Sequence, residues 1–285
     1  MVVACATDPS TAGDAMSRPK VIDSFPFNNE LDMLECRLTE LYDAVDHFVL
    51  VEATVDHQDH PKPLHYQENR ERFAAFADKI VHVVAGDMPT LADDNDPWAR
   101  EHAQREYIGV GLVRIGVNDN DVILQSDVDE IPSPLAARNV RPPGLWSFEQ
   151  HLHCFAIDWE HPLPWYGTVA ATVGTLGRFK EMPFSYMRDA RITAQCPPHL
   201  RNAGHHFSWL GGRDAQIAKV NSFCHPEILL DGNVERMLNE DAYLKYGWHV
   251  DGHRQAPCEI DATYPKWIRD GNAPAIWYRP QAVAA

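Results

Sequence analysis

Two aspartates and a glutamate, Asp127, Asp129 and Glu130, close the apolar run of "DVILQSDVDEIP" (121–132). Alternate residues at a strand end point the same way, so Asp127 and Asp129 can share one hard cation. Oxygen ligands select Mg2+ or Mn2+, and such ions keep open positions for substrate phosphates. The competing reading is a solvated strand end with Asp129 capping the next turn.

Histidines supply the second signal. In "AGHHFSW" and "SFCHPE", His205, His206 and His225 could complete a metal site begun by the two aspartates, or could be hydrogen-bonded, partly buried side chains. "HLH" puts His151 and His153 on one strand face, a weaker candidate because no third ligand lies nearby in sequence. Asp214 follows the Gly211-Gly212 pair at the start of a helix, where a carboxylate can act as a general base or simply suit a first turn. Aromatic faces are platforms for sugar rings and equally good core residues, and the second half is rich in them: Trp146, Trp159, Trp165, Tyr166, Trp209, Trp248, Tyr264 and Trp267. The chain has no GxGxxG, GxxxxGK[ST] or GxSxG, so dinucleotide, P-loop and hydrolase-elbow chemistries lack support.

Positioning these residues requires a frame. "KVIDSF" (20–25), "HFVLVEA" (47–53), "IVHVVAG" (80–86) and "DVILQSD" (121–127) read as strands. Between them the helical spacing of Leu31, Leu34, Leu38, Leu41 and Val45 predicts one helix, "ENRERFAAFADKI" (68–80) a second, and Trp98 to Ile115 a third. That alternation predicts a parallel sheet with helices on both faces, whose ligands gather at the carboxyl ends of the strands. Asp127 and Asp129 stand at such an end. Beyond Pro132 the pattern weakens to a long strand over 144–159 and helices over 214–223 and 233–247, which read as irregular additions to one domain spanning 19–285. Residues 1–18 read as a loose tail.

The 285 residues are 45% hydrophobic and 23% charged, an ordinary globular composition, with a formal net charge of −16. No basic stripe is present to neutralise nucleic-acid phosphates or an anionic membrane. No apolar run approaches the about 20 residues of a membrane span. The six cysteines form no CxxC pair and suit free thiols.

In order and spacing, "DSFPFNNELDMLECRLTELYDAVDHFVLVEAT", "KPLHYQENRERF", "PWAREHAQREYI", "DVILQSDVDEIPSP" and "AGHHFSWLGG" resemble glycosyltransferase family 17. The resemblance runs from about residue 20 to 250. It implies a GT-A-like, Rossmann-type α/β fold with a mostly parallel sheet. It also implies an inverting transfer of a sugar, N-acetylglucosamine, from a UDP-sugar donor to a carbohydrate or small-molecule hydroxyl, with Mn2+ or Mg2+ as cofactor. Carried over, Asp127 and Asp129 hold the metal on the diphosphate and His206 assists. Phe25, Pro26, Glu52 and Ala53, at the ends of the first two strands, hold the donor, with Arg100 and Arg105 as candidates for phosphate contact or for ion pairs with the abundant acids. Residue 205 is His where family members have Trp, and Asp214, where relatives have Glu, is the leading base. The Golgi members carry an anchor and stem that this sequence lacks, and it has no Asn-x-Ser/Thr sequon, so a soluble, cytoplasmic enzyme is expected. The rivals are a metal-dependent phosphohydrolase and a non-catalytic carbohydrate- or nucleotide-sugar-binding protein.

Overall fold

The computed structural model describes residues 18–141, 144–178, 183–192, 198–224, 241–249 and 251–280. Its strands are β1 (Val21–Phe27), β2 (His47–Ala53), β3 (Ile80–Ala85), β4 (Val122–Gln125), β5 (Glu130–Pro132), β6 (Trp146–Cys154), β7 (Trp159–Glu160), β8 (Trp165–Thr172), β9 (His199–Leu200), β10 (Gly204–Ser208) and β11 (Ala256–Pro257). The helices are α1 (Leu31–Leu41), α2 (His65–Glu68), α3 (Pro97–Glu106), α4 (Ile108–Ile115), α5 (Pro134–Asn139), α6 (Val173–Leu176), α7 (Pro183–Asp189), α8 (Gly212–Ser222) and α9 (Lys266–Arg269).

Nine strands form one sheet in the order β3-β2-β1-β4-β8-β6-β10-β5, with β9 beside β6. The first four run parallel, as the strand–helix alternation predicts. Strand β8 is antiparallel to both β4 and β6, β10 is parallel to β6, and β5 is antiparallel to β10. The sheet is therefore mixed, with a parallel Rossmann-type half carrying the strand ends expected to hold ligands, the GT-A-like arrangement that the sequence implies. Strands β7 and β11 pair separately.

Strand β2 shows why the apolar run is continuous. Phe48 and Leu50 pack with Leu34, Leu38 and Leu41 of α1 on one face, while Val49, Val51 and Ala53 pack with Ile108 and Leu112 of α4 on the other. Period-two alternation of side chains puts both sets under cover. Helix α4 sits close: a Cβ on Gly111 would lie 2.4 Å from the Val49 side chain. Leu34 is fully buried, and its truncation to Ala costs about 2–5 kcal/mol.

Two expected elements differ. The helix over 68–80 is instead the short α2, a turn, and a 3-10 turn at Ala74–Phe76. Asn69 ends α2 by donating from Nδ2 to the His65 carbonyl, and Arg72 turns toward Asp32 and Glu35 of α1. The third helix breaks at Tyr107 into α3 and α4, each with its own hydrogen-bonded end. The expected helix over 233–247 lies mostly outside the described residues, which include a π-helical stretch at Asp241–Lys245. The described cysteines Cys36, Cys154, Cys224 and Cys258 are free thiols. No helix of the described residues is long and apolar enough to cross a membrane.

Candidate active site

The Asp127–Asp129 turn follows β4 and is fastened from below by Arg37, a fully buried arginine on the apolar face of α1. Its guanidinium donates to the carbonyls of Asp127 (2.9 Å), Val128 (3.2 Å) and Glu130 (2.9 Å) and to Ser126 Oγ (2.6 Å). The same group makes a two-pronged pair with buried Asp23, at 2.7 and 2.6 Å, and lies over the Phe25 ring. Three carbonyls thus share one cation, which fixes the turn's backbone before any side chain acts. From the other side, Phe207 N–H donates to the Asp129 carbonyl at 2.9 Å, tying the turn to β10.

Asp127 is clamped between two arginines. Arg105 of α3 donates to Oδ1 at 2.5 Å and Arg188 of α7 donates to Oδ2 at 2.5 Å. Arg188 also bonds both carboxylate oxygens of buried Glu130, at 2.8 and 2.9 Å, and Arg105 bonds Glu101. Glu130 further accepts from Asp127 N–H at 2.8 Å and from Trp165 Nε1–H at 2.5 Å, so it supports the turn. Burial alone would raise the Asp127 pKa, but Arg105 and then Arg188 outweigh it and hold the carboxyl far below the usual range.

Asp129 has different company. His206 Nε2 lies 3.5 Å from Oδ1 and Lys219 Nζ of α8 lies 3.5 Å from Oδ2. Burial raises and Lys219, then His206, lower its pKa, with a net shift downward. Burial works against the Lys219 ammonium, yet Asp129, followed by Glu30 and Asp127, raises its pKa. Strand alternation settles which of the adjacent histidines faces the turn. His206 lines the cavity above Asp129, whereas His205 points into a stack with His151, His153, Phe207 and Tyr264.

These groups line a cavity of about 710 Å³ at the carboxyl edge of β1, β2 and β4. Its wall includes Pro26, Asp56, Arg105, Asp127, Asp129, Arg188, Asp189, Arg191, His206 and Lys219, with Trp98, Trp165, Trp209 and Trp277. Arg191 stands 5.2 Å over the Trp165 ring, and burial followed by the nearby Arg188 pushes its pKa down to about 10. Trp209 has a left-handed backbone (φ 59°), uncommon for a bulky residue, just before Gly211 (φ 94°) at the start of α8. That turn presents Trp209 to the cavity, with Lys219 Nζ 5.2 Å from its ring.

Several expected site residues stand elsewhere. Phe25 and Ala53 are buried core residues outside the cavity lining, and that strand end reaches the wall through Pro26 and Phe27. Glu52 is buried, accepts Tyr66 N–H, and lies 3.8 Å from Lys62 and 3.1 Å from His82, a structural role at the strand end. Arg100 is buried, donating to the His57 and Asp94 carbonyls, and does not reach the wall. Asp214 sits exposed on the first turn of α8, outside the cavity lining. His151 pairs with Glu160 and His153 bonds the Trp159 carbonyl, both in the histidine stack away from the aspartate turn. His225 lies outside the described residues.

Arg37, Arg188, Arg191 and Lys219 were not anticipated. Arg37 had a legible signal, a lone arginine in the apolar phase of α1 between Leu34 and Leu41. Arg188 and Arg191 come from a segment with no motif, and only the packing of α7 against the sheet brings them to Asp127.

Comparison with known proteins places the same segments. The model of glycosyltransferase family 17 matches residues 10–225. The beta-1,4-mannosyl-glycoprotein 4-beta-N-acetylglucosaminyltransferases of Rattus norvegicus and Homo sapiens are each 30% identical to this chain over 152 residues, covering 50% of this chain and 28% of theirs. The chain thus matches well under a third of those relatives' length. Among solved structures, a 4-diphosphocytidyl-2C-methyl-D-erythritol synthase aligns with a TM-score of 0.39 at 15% identity, over 65% of this chain and 90% of that chain. A glucosyl-3-phosphoglycerate synthase of M. tuberculosis aligns at 0.34 and 11%, over 88% and 92%. The family match takes in the Arg37 helix, the aspartate turn, both arginines of the clamp and the Lys219 helix, and the chain belongs to glycosyltransferase family 17.

Proposed function

We propose that the cavity binds a UDP-sugar, with N-acetylglucosamine as the sugar, and that the protein transfers this sugar with inversion to a hydroxyl of a carbohydrate or small-molecule acceptor. The observation that carries this reading is the gathering of Arg105, Arg188, Arg191 and Lys219 around one carboxylate turn, in a chain whose net charge is −16. Such a cluster suits a diphosphate, and the cavity volume suits a nucleotide sugar. The curated relatives' name supports the choice of sugar.

Lys219 and Arg191 offer cations to the diphosphate oxygens, while Arg105 and Arg188 are held by Asp127 and so fix the wall behind it. Trp165 and Trp209 supply flat apolar faces against which a base or sugar ring can lie. A Mn2+ or Mg2+ ion fits beside Asp129 and His206, which present a carboxylate oxygen and a ring nitrogen to the cavity 3.5 Å apart. Held by Asp129 and His206, such an ion would supply Lewis-acid stabilisation of charge on a leaving diphosphate. Asp127, with each oxygen on a guanidinium, serves better as the fixed counter-charge of the clamp than as a ligand. Inversion requires a carboxylate to remove the acceptor proton. Asp189, exposed on the cavity wall, and Asp214, on the adjacent helix, are the two carboxylates to compare. Titration calorimetry with UDP tests the site: Lys219→Ala weakens binding at least about tenfold, and unchanged binding removes the diphosphate assignment.

A further inference from the structure

We propose a second, separate metal site, for Zn2+ or a similar nitrogen-preferring divalent ion, formed by His161, His249 and Asp251. One imidazole nitrogen from each histidine and a carboxylate oxygen lie within 4.8 Å of one another. His249 Nδ1 is 2.9 Å from Asp251 Oδ1, and His161 Nε2 is 3.2 Å from Oδ2. Ligands at tetrahedral zinc, with bonds near 2.0–2.1 Å, stand about 3.3 Å apart, close to the two nitrogen–carboxylate distances here. Two imidazoles with one carboxylate favour Zn2+ over the oxygen-preferring Mg2+ or Mn2+.

Two independent features support the assignment. First, the ligands are held in advance. A Trp248–Arg254 bridge closes the turn that carries His249 and Asp251, with His249 N–H donating to the His253 carbonyl at 2.8 Å. Pairing of β11 with β7 sets this turn beside His161, whose own N–H is tied to the Leu152 carbonyl of β6 at 2.8 Å. Second, His161 is 6% exposed and its Nε2 has no hydrogen-bond partner among the described residues, although it points at Asp251. A buried imidazole nitrogen aimed at a carboxylate without hydrogen-bond geometry is satisfied when both atoms bind one cation. His161 Nδ1 lies 3.1 Å from both the carbonyl and the amide N–H of Leu163, which hold the ring in place. His253 Nδ1 stands 3.2 Å from Asp251 Oδ2 and orients the carboxylate. None of these residues lines the proposed donor cavity. The ion would pin the C-terminal turn to β7 and β6.

The test is calorimetric titration of the chelator-stripped full chain with Zn2+ alone, with thermal unfolding as a second readout. Wild type is expected to bind one Zn2+ at this site and to unfold at a higher temperature with it. Asp251→Asn and His249→Ala each lose this binding event and the thermal shift, and His253→Ala weakens it about tenfold. Asp129→Ala, altered in the donor cavity, retains both. Zn2+ titrations indistinguishable between wild type, Asp251→Asn and His249→Ala, or no Zn2+ binding by wild type, overturn the proposal.

Discussion

Arg188 Nη2 donates to Asp127 Oδ2 at 2.5 Å while its Nη1 donates to Glu130 Oε2 at 2.8 Å, so one guanidinium joins the first aspartate of the motif to the glutamate that follows it. The Asp-x-Asp pair is therefore divided. Asp127 belongs to an arginine clamp, and Asp129, beside His206 and Lys219, faces the cavity with looser partners. Each member of the motif has its own consequence when changed.

Arg188→Ala strips Glu130, which is fully buried, of its principal cation. Breaking such a pair costs about 3–5 kcal/mol, because the remaining charge is stranded. Urea unfolding should show that loss, and sugar transfer should fall at least about a hundredfold as the turn loosens. Arg188→Lys keeps the charge without the fork and should restore only part of either.

Asp129→Asn removes the negative charge beside His206 and should raise the Mn2+ concentration for half-maximal transfer at least about tenfold. In Asp127→Asn the same titration should keep its midpoint while the maximal rate falls. A common shift of both midpoints would make Asp127 a direct ligand instead.

The base is decided by comparing Asp189→Asn with Asp214→Asn. Loss of a general base costs about 10²–10⁴-fold in rate. The lining of the cavity predicts that this loss follows Asp189 and that Asp214→Asn stays within about threefold of wild type, a rate readout under saturating donor. The reverse pattern returns the role to Asp214.

Burial, then the neighbouring His151, drives the His205 pKa down to about 3 from an ordinary 6.5. A depressed native pKa means the unfolded chain binds the proton first, so stability is full above about pH 6.5 and is lost as pH falls toward about 3. Each such proton contributes a slope of about 1.4 kcal/mol per pH unit in that window. His205→Phe, placed against Phe207, should flatten the acid side of the unfolding curve by about one proton. His153 is pushed down mainly by burial and then by His205, so it loses only the His205 part of its shift.

The parallel half of the fold was legible because β1, β2 and β4 are apolar on both faces and alternate with helices, and their shared edge fixed where Asp127 and Asp129 stand. What the residues around them do was not legible. Arg105 was picked out by its place in a segment resembling the family, but Arg188 reaches Asp127 across 61 positions of sequence and Lys219 reaches Asp129 across 90. Such pairings depend on how α7 and α8 pack, which local patterns do not encode. Glu52 and Arg100 mislead for the opposite reason: polar residues at strand and helix ends look like ligand contacts, yet both spend their hydrogen bonds on neighbouring protein groups.

Sugar transfer from UDP-N-acetylglucosamine by the full chain is the most direct test of the central claim. It is measured as UDP release with Mn2+ across a panel of carbohydrate and small-molecule acceptors, alongside Lys219→Ala and Arg188→Ala. The account predicts acceptor-dependent UDP release, with the transferred sugar in inverted configuration and a loss of at least about a hundredfold in Arg188→Ala. UDP release unchanged in both variants, or phosphate released from simple esters with no transfer to any acceptor, would contradict it.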